Sequence, residues 1–183
     1  GLWVHEHPTS LRGRYQMLYL DFSRVGGDIE QLSARFNDYC SLMLDDFMHT
    51  YRDDYPEETV KAFFETRQMA DKRNSAVRLR IPLYLIIDEY DNFTNIVLNE
   101  KGEEVYHAIT HASGFYRDVF KKFKGMFERI FMTGVSPVTL DDLTSGFNIG
   151  WHLSMNPKFD KMLGFSTEDV RAMLLYYKEV GML

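Results

Sequence analysis

The apolar run Leu83-Tyr84-Leu85-Ile86-Ile87 leads straight into Asp88-Glu89-Tyr90-Asp91, three carboxylates within four positions. Those residue types suit phosphoryl chemistry. A buried strand ending in Asp-Glu has the form of a Walker B motif. The Asp receives Mg²⁺, usually through water, and the adjacent Glu orients or deprotonates the water that attacks a γ-phosphate. Both groups must stand on a rigid element, because in-line attack tolerates little misplacement. A solvated strand-to-helix turn also carries acids, and the tetrapeptide alone does not separate the two readings. A second strand bears on the choice. Arg129-Ile130-Phe131-Met132-Thr133 runs into Gly134-Val135-Ser136, a hydroxyl at a strand end followed by a turn. ATPases with a catalytic Glu in this position commonly place a polar sensor at the equivalent strand end, touching the γ-phosphate or the lytic water. Thr is also an ordinary strand residue, and Gly134 would serve any tight turn. Taken together, the two strand ends favour a nucleotide hydrolase.

The elements that must position these residues alternate strand and helix. Gln16 to Phe22 reads as a strand that ends in the turn-like segment Ser23 to Gly27. Asp28 with Gln31 forms a candidate capping box. Ile29, Leu32, Phe36, Cys40, Met43, Phe47 and Tyr51 then draw one apolar stripe along a long helix. Pro56 precedes a second helix carrying Val60, Phe63, Phe64 and Met69, and a charged connector runs from Asp71 to Arg80. Helical stretches follow around Glu103 to Ala112 and Phe115 to Lys124. A last candidate strand covers Asn148 to Met155, and Ser166 with Asp169 caps a final helix. Leu83 to Ile87 is apolar at successive positions, so it predicts a central parallel strand with helices on both sides. The expected class is α/β, a three-layer sandwich with a mainly parallel sheet, whose ligands bind beyond the carboxyl ends of the strands.

Composition sets the outer bounds. With 183 residues, 45% apolar and 26% charged, the chain can build a real core. The one cysteine, Cys40, excludes an internal disulfide framework and a cysteine-based zinc site, and suits a reducing cytoplasm. Twenty-one Lys+Arg against 27 Asp+Glu leave a net charge of −6, against a globally basic nucleic-acid binder. No apolar run is long enough for a membrane span, and the start has no signal-peptide pattern.

On Leu83 to Asp91, Phe131-Met-Thr-Gly-Val-Ser-Pro137, Ser145-Gly-Phe-Asn-Ile149 and Met162 to Val170, the chain resembles the predicted AAA-ATPase-like proteins of bacteria. Many members carry a PD-(D/E)XK nuclease-like domain toward the C-terminus. The matching stretches occur in the family's order along most of the chain. The resemblance implies a P-loop NTPase-like fold in which Asp88 is the Mg²⁺ residue, Glu89 the catalytic carboxylate and Thr133 the sensor, with Ser136 a weaker second choice. It also implies ATP and Mg²⁺ as ligands of the intact protein. One departure is large: the sequence contains no Gly-x-x-x-x-Gly-Lys-Ser/Thr phosphate loop. The expectation is therefore an internal piece of a longer protein, with the phosphate loop upstream of Gly1, and this piece neither hydrolyses ATP nor holds it tightly. Residues 1–155 would supply the sheet core and 156–183 the helical start of a following region. With the family's strand order 5-1-4-3-2, the strands at Gln16, Leu83 and Arg129 count as second, third and fourth, and the first is absent. Asn148 would open the fifth, and either a three-strand remnant with a displaced fifth segment or pairing with another chain would follow. Nucleic acid would be met only through a separate domain.

Other residues carry weaker signals. His107 and His111 stand one helical turn apart, but Ala108 replaces the Glu of the metalloprotease pattern. Asp21 could approach the edge of the same site or cap its own turn. Arg117, Arg129 and Arg171 are conceivable arginine fingers, and Lys121-Lys122-Phe123-Lys124 is a small basic footprint. Two further readings stay open: a non-hydrolysing interaction module on an ATPase-like scaffold, and a divalent-metal site formed by Asp88, Glu89 and Asp91 without nucleotide.

Overall fold

The computed structural model describes residues 3–66, 82–110, 115–135, 151, 153–154, 156–160 and 164–182. The chain divides into two compact units, 1–148 and 149–183. The expected strand over 148–155 falls largely outside the described residues, as do the connector 71–80, His111 and Ser136.

In the first unit three strands form a parallel sheet in the order β1-β2-β3: β1 (Gln16–Asp21), β2 (Leu83–Asp88) and β3 (Arg129–Met132). The register pairs Gln16 with Leu83 through Asp21 with Asp88, and Tyr84 with Arg129 through Ile87 with Met132. Parallel neighbours require long crossovers. A short helix α1 (Trp3–Glu6) precedes β1; α2 (Ile29–Thr50) and α3 (Glu57–Glu65) lead from β1 to β2. Between β2 and β3 the chain forms α4 (Asn92–Lys101), α5 (Glu103–Thr110) and α6 (Phe115–Lys124). Helix α4 is unannounced in the sequence, since Phe93, Ile96 and Val97 span little more than one turn. Gly102, at φ +83°, ends it in a conformation that glycine adopts freely.

Burial alternates along the strands. Leu18, Leu20, Leu83, Leu85 and Ile87 are buried; on the opposite face Met17 and Tyr19 are 40% and 49% exposed, and Tyr84 and Ile86 are half-buried. The expectation of helices on both faces therefore gives way. Among the described residues the sheet is covered on one face only. The reason is that α2 to α6 all direct their apolar stripes into one cluster with the first set of strand residues, leaving none for the second. On α2 that stripe is Leu32, Phe36, Cys40, Leu44, Phe47 and Met48. Phe22 packs edge-on against Phe36 with centroids 5.0 Å apart, and Tyr116 against Phe120 at 4.9 Å. Buried Gln16 is satisfied by the Tyr55 hydroxyl, which donates to its side-chain oxygen, and by donating to Asp54 Oδ2 at 2.8 Å. Burial pushes the Tyr55 phenol up to about 12.

Two cap expectations come out differently. Asp28 stands at the N-terminus of α2 without a side-chain cap bond, the Gln31 N–H donating to Asp28 O at 3.0 Å and the Gln31 side-chain oxygen accepting from Arg35 at 3.1 Å. In the second unit Ser166 and Asp169 form a reciprocal capping box at the start of α7 (Thr167–Glu179). That unit also contains a short 3₁₀ turn, Pro157–Phe159, capped by Asn156.

One-sided coverage has a measurable consequence. Leu85→Ala should cost ~2–5 kcal/mol of unfolding free energy, while Met17→Ala on the open face should cost less than about 1 kcal/mol. Urea denaturation followed by circular dichroism checks both; equal losses would mean that the second face is packed as well.

Candidate functional site

Because the strands are parallel and in register, Asp21, Asp88 and Thr133 emerge at one end of the sheet. The alternation places Tyr19, Asp21, Asp88 and Thr133 on its open face, with Asp21 directly across from Asp88 in the register. The ladder continues one step past β3: the Thr133 N–H donates to Ile87 O at 2.9 Å, and the Tyr90 N–H to Thr133 O at 3.0 Å. These bonds bring the Thr133 hydroxyl to Asp88, where it donates to Oδ1. The Glu89 N–H also donates to Oδ1, at 3.1 Å, and the Tyr19 hydroxyl donates to Oδ2 at 3.0 Å. Every one of these donors is neutral. Among the described residues no cation pairs with Asp88.

Glu89 follows with φ +53°, the one non-glycine residue with positive φ among the described residues. A left-handed glutamate is uncommon and strained, and such residues concentrate at functional turns. The turn closes with the Asn92 N–H on Glu89 O at 3.0 Å. Asp91 takes another course. It is wholly buried, accepts the Val135 N–H at 3.1 Å and the Asn95 amide at 2.8 Å, and so ties the turn after β3 to the start of α4. A Cβ on Gly134 would sit 2.5 Å from Asp91 Oδ1 and from the Tyr90 ring, so only glycine fits between them. From beneath, the buried Tyr116 hydroxyl donates to Tyr90 O. Tyr116 itself packs against Phe22, Phe36 and Phe120, which anchors the site turn in the core.

The candidate residues thus separate. Asp88 and Thr133 meet, and Glu89 adjoins them; Ser136 lies outside the described residues. Asp21 caps its own turn, accepting from Ser23 N at 3.0 Å, Ser23 Oγ at 2.6 Å and Arg24 Nε at 3.1 Å. The Ser23 hydroxyl bond is the main reason its carboxyl is held below the usual value. No group of three His, Cys, Asp or Glu converges as a metal cluster among the described residues. Asp91 is committed to the Val135 N–H and the Asn95 amide, which removes it from the three-carboxylate reading. Asp88 still fits a hydrated Mg²⁺. It is an unneutralised carboxylate on an open face, and Mg²⁺ usually keeps several waters and needs only one or two carboxylates. Arg129 begins β3 at the far end from Thr133, about 13 Å along an extended strand. It donates to the Tyr15 hydroxyl at 2.9 Å and stacks on that ring, away from the acids. Arg117 is half-buried on α6, Arg171 belongs to the second unit, and His107 is exposed. A cavity of about 900 Å³ involves Arg12, Tyr15, Tyr84 and Arg129, at the opposite end from the carboxylates. In open parallel sheets the carboxyl ends host the chemistry. Sequence reasoning misses Tyr19 and Asn95. For Tyr19 the available signal is its outward position on β1, two residues before the strand's terminal acid.

The family model described as "Predicted AAA-ATPase" matches residues 1–144. No curated protein and no solved structure matches the chain. Among the described residues no helix is long and apolar enough to cross a membrane.

Backbone geometry predicts opposite responses at two neighbours. Glu89→Gly should keep or raise stability, by up to ~1 kcal/mol, because it relieves the left-handed φ. Gly134→Ala should lower it and broaden the Val135 amide resonance. Thermal unfolding with amide NMR checks the pair, and a destabilised Glu89→Gly would remove the strain argument. Asp21→Asn should destabilise the chain at neutral pH. Because the folded carboxyl is held below 3.8, the benefit of Asp21 is full above that value and fades as pH falls through the folded value. The two proteins' unfolding midpoints should therefore converge in acid; a constant gap would contradict the assignment.

Proposed function

The chain belongs to the predicted AAA-ATPase-like family, and on that premise we propose that Asp88, Glu89 and Thr133 are the acidic and sensing half of a P-loop ATP-hydrolysing site. The observation that carries the reading is the Thr133 hydroxyl donating to Asp88 across adjacent strand ends. Sensor and acid are thereby linked without an intervening side chain. In this reading Asp88 is the Walker B aspartate and would hold a hydrated Mg²⁺, which would supply charge neutralisation for the triphosphate. Glu89 takes the proton of the attacking water as that water's oxygen bonds the γ-phosphorus; the bond to the bridging oxygen breaks, and ADP and phosphate leave. Thr133 is released from, or held by, Asp88 according to the state of the γ-phosphate. Ser136 is the second candidate for that contact.

The complementary half consists of backbone N–H groups around the β-phosphate and a lysine on the γ-phosphate. In this reading it comes from a Gly-Lys-Ser/Thr loop elsewhere in a longer protein, and the 183 residues alone do not turn over ATP. Hydrolysis would there drive a conformational change, with a nuclease-like domain as one candidate for what it controls. The missing loop motif favours a second reading, in which the chain is an interaction scaffold of ATPase-like fold that does not hydrolyse. Its binding of a partner would then be indifferent to nucleotide.

In the protein that carries the loop, Glu89→Gln should retain ATP binding while turnover falls ~100-fold or more. Asp88→Asn should instead weaken the magnesium dependence. Steady-state phosphate release with a parallel nucleotide-binding titration measures both. Unchanged turnover in Glu89→Gln removes Glu89 from the base role; no nucleotide binding by the wild type favours the scaffold.

A further inference from the structure

We propose that Tyr19 is a positioning residue for the Asp88 carboxylate, holding Oδ2 on the open face of the sheet where a hydrated divalent cation can reach it. This rests on the reading of Asp88 as the magnesium residue. The torsion that rotates a carboxylate about its Cβ–Cγ bond is soft, with broad preferences. Donors on one oxygen restrain that rotation, and a donor on the other oxygen from the opposite side narrows it further. On Oδ1 the donors are the Thr133 hydroxyl and the Glu89 N–H, both from the β2 and β3 ends. Tyr19 is the donor on Oδ2, 3.0 Å away, and it comes from the other neighbouring strand, β1. Held at both oxygens from both sides, the carboxylate has one plane.

The environment of Tyr19 fits this role better than a packing role. A tyrosine kept for its ring buries that ring and leaves its hydroxyl to find a partner. Tyr19 does the reverse, with half its surface exposed and its hydroxyl committed to Asp88. Its donor is neutral, so it orients the carboxylate without cancelling the charge that attracts the cation. An arginine there would orient equally well and neutralise it. The phenol oxygen keeps lone pairs after donating to Asp88, so it can accept from a water of the cation's shell. Groups that orient a metal-binding carboxylate without touching the metal contribute substantially to affinity.

Mn²⁺ alone, added to the isotope-labelled chain, is a suitable probe because it shares the octahedral, water-retaining chemistry of Mg²⁺ and broadens nearby resonances even when binding is weak. Broadening should centre on the Asp88 carboxyl and spread to Thr133 and Tyr19. Tyr19→Phe should weaken the apparent Kd about tenfold, with the unfolding midpoint and the core amide spectrum unchanged. Asp88→Asn should abolish the centred broadening. If Tyr19→Phe binds Mn²⁺ as the wild type does while Asp88→Asn does not, Tyr19 has no positioning role and the Asp88 reading stands. If Mn²⁺ leaves the Asp88 resonances sharp in the wild type, or binds Asp88→Asn equally, the Asp88 reading falls and the role of Tyr19 falls with it.

Discussion

The register of β2 between its two parallel neighbours is the constraint on which everything else hangs. A one-residue slip in a strand exchanges its two faces, and here the faces are chemically opposite. Leu85 and Ile87 are fully buried against the helices, while Tyr84, Ile86 and Asp88 look toward the open side. Slipping β2 would drive Asp88 into an aromatic core with no cation to meet it, at a desolvation cost of several kcal/mol. Packing of the apolar residues therefore fixes the position of the acid. Because β1 and β3 are locked to the same register, the hydroxyls of Tyr19 and Thr133 arrive on the same face and at the same end.

Two aspartates three residues apart then meet opposite fates. Asp88 ends a strand on the open face, surrounded by neutral donors. Asp91 opens a helix and is wholly buried, its oxygens spent on a backbone N–H of the turn after β3 and on the Asn95 amide. An aspartate at a helix N-terminus ordinarily accepts from its own first turn. Here the carboxylate reaches across to another element, and that geometry holds Thr133 against β2. The close fit at Gly134 belongs to the same device. Any side chain there would part the turn from Tyr90 and Asp91.

Much of this was legible from residue types. Strand positions followed from Gln16 to Phe22, Leu83 to Ile87 and Arg129 to Thr133, since apolar runs bounded by turn residues leave few alternatives. The acid and hydroxyl at adjacent strand ends followed from the strand order that the family resemblance implies. That the described helices cover one face of the sheet only did not. Leu83 to Ile87 reads as buried on both sides because Tyr84 and Ile86 are apolar, and burial depends on where the helical stripes point, which strand composition does not encode. The difference between Asp88 and Asp91 was hidden for a related reason: it is decided by a contact with Val135, 44 positions further on. Tyr19 was passed over because an outward aromatic on a strand looks like ordinary surface until the neighbouring strand brings a carboxylate to it. Ser166 with Asp169 was readable because a capping box is closed within four residues.

The division of labour between the two sides of the site follows from these placements. The side facing the core is rigid: Tyr116 holds the Tyr90 carbonyl, Asp91 holds the turn, and the ladder bonds through Thr133 leave little freedom. The side facing out carries the charge and the strain, with Asp88 unneutralised and Glu89 held at positive φ. Carboxylates in that arrangement repel a triphosphate. Their field becomes attractive only when a divalent cation lies between them and the ligand, or when cationic groups line the opposite wall. On the proposed reading the site is conditional by its electrostatics: half of it organises a cation and the water, and no phosphate is held until positive charge arrives. The same logic explains why the donors around Asp88 are hydroxyls and a backbone amide. On the proposed reading they fix its geometry and leave its charge for a cation.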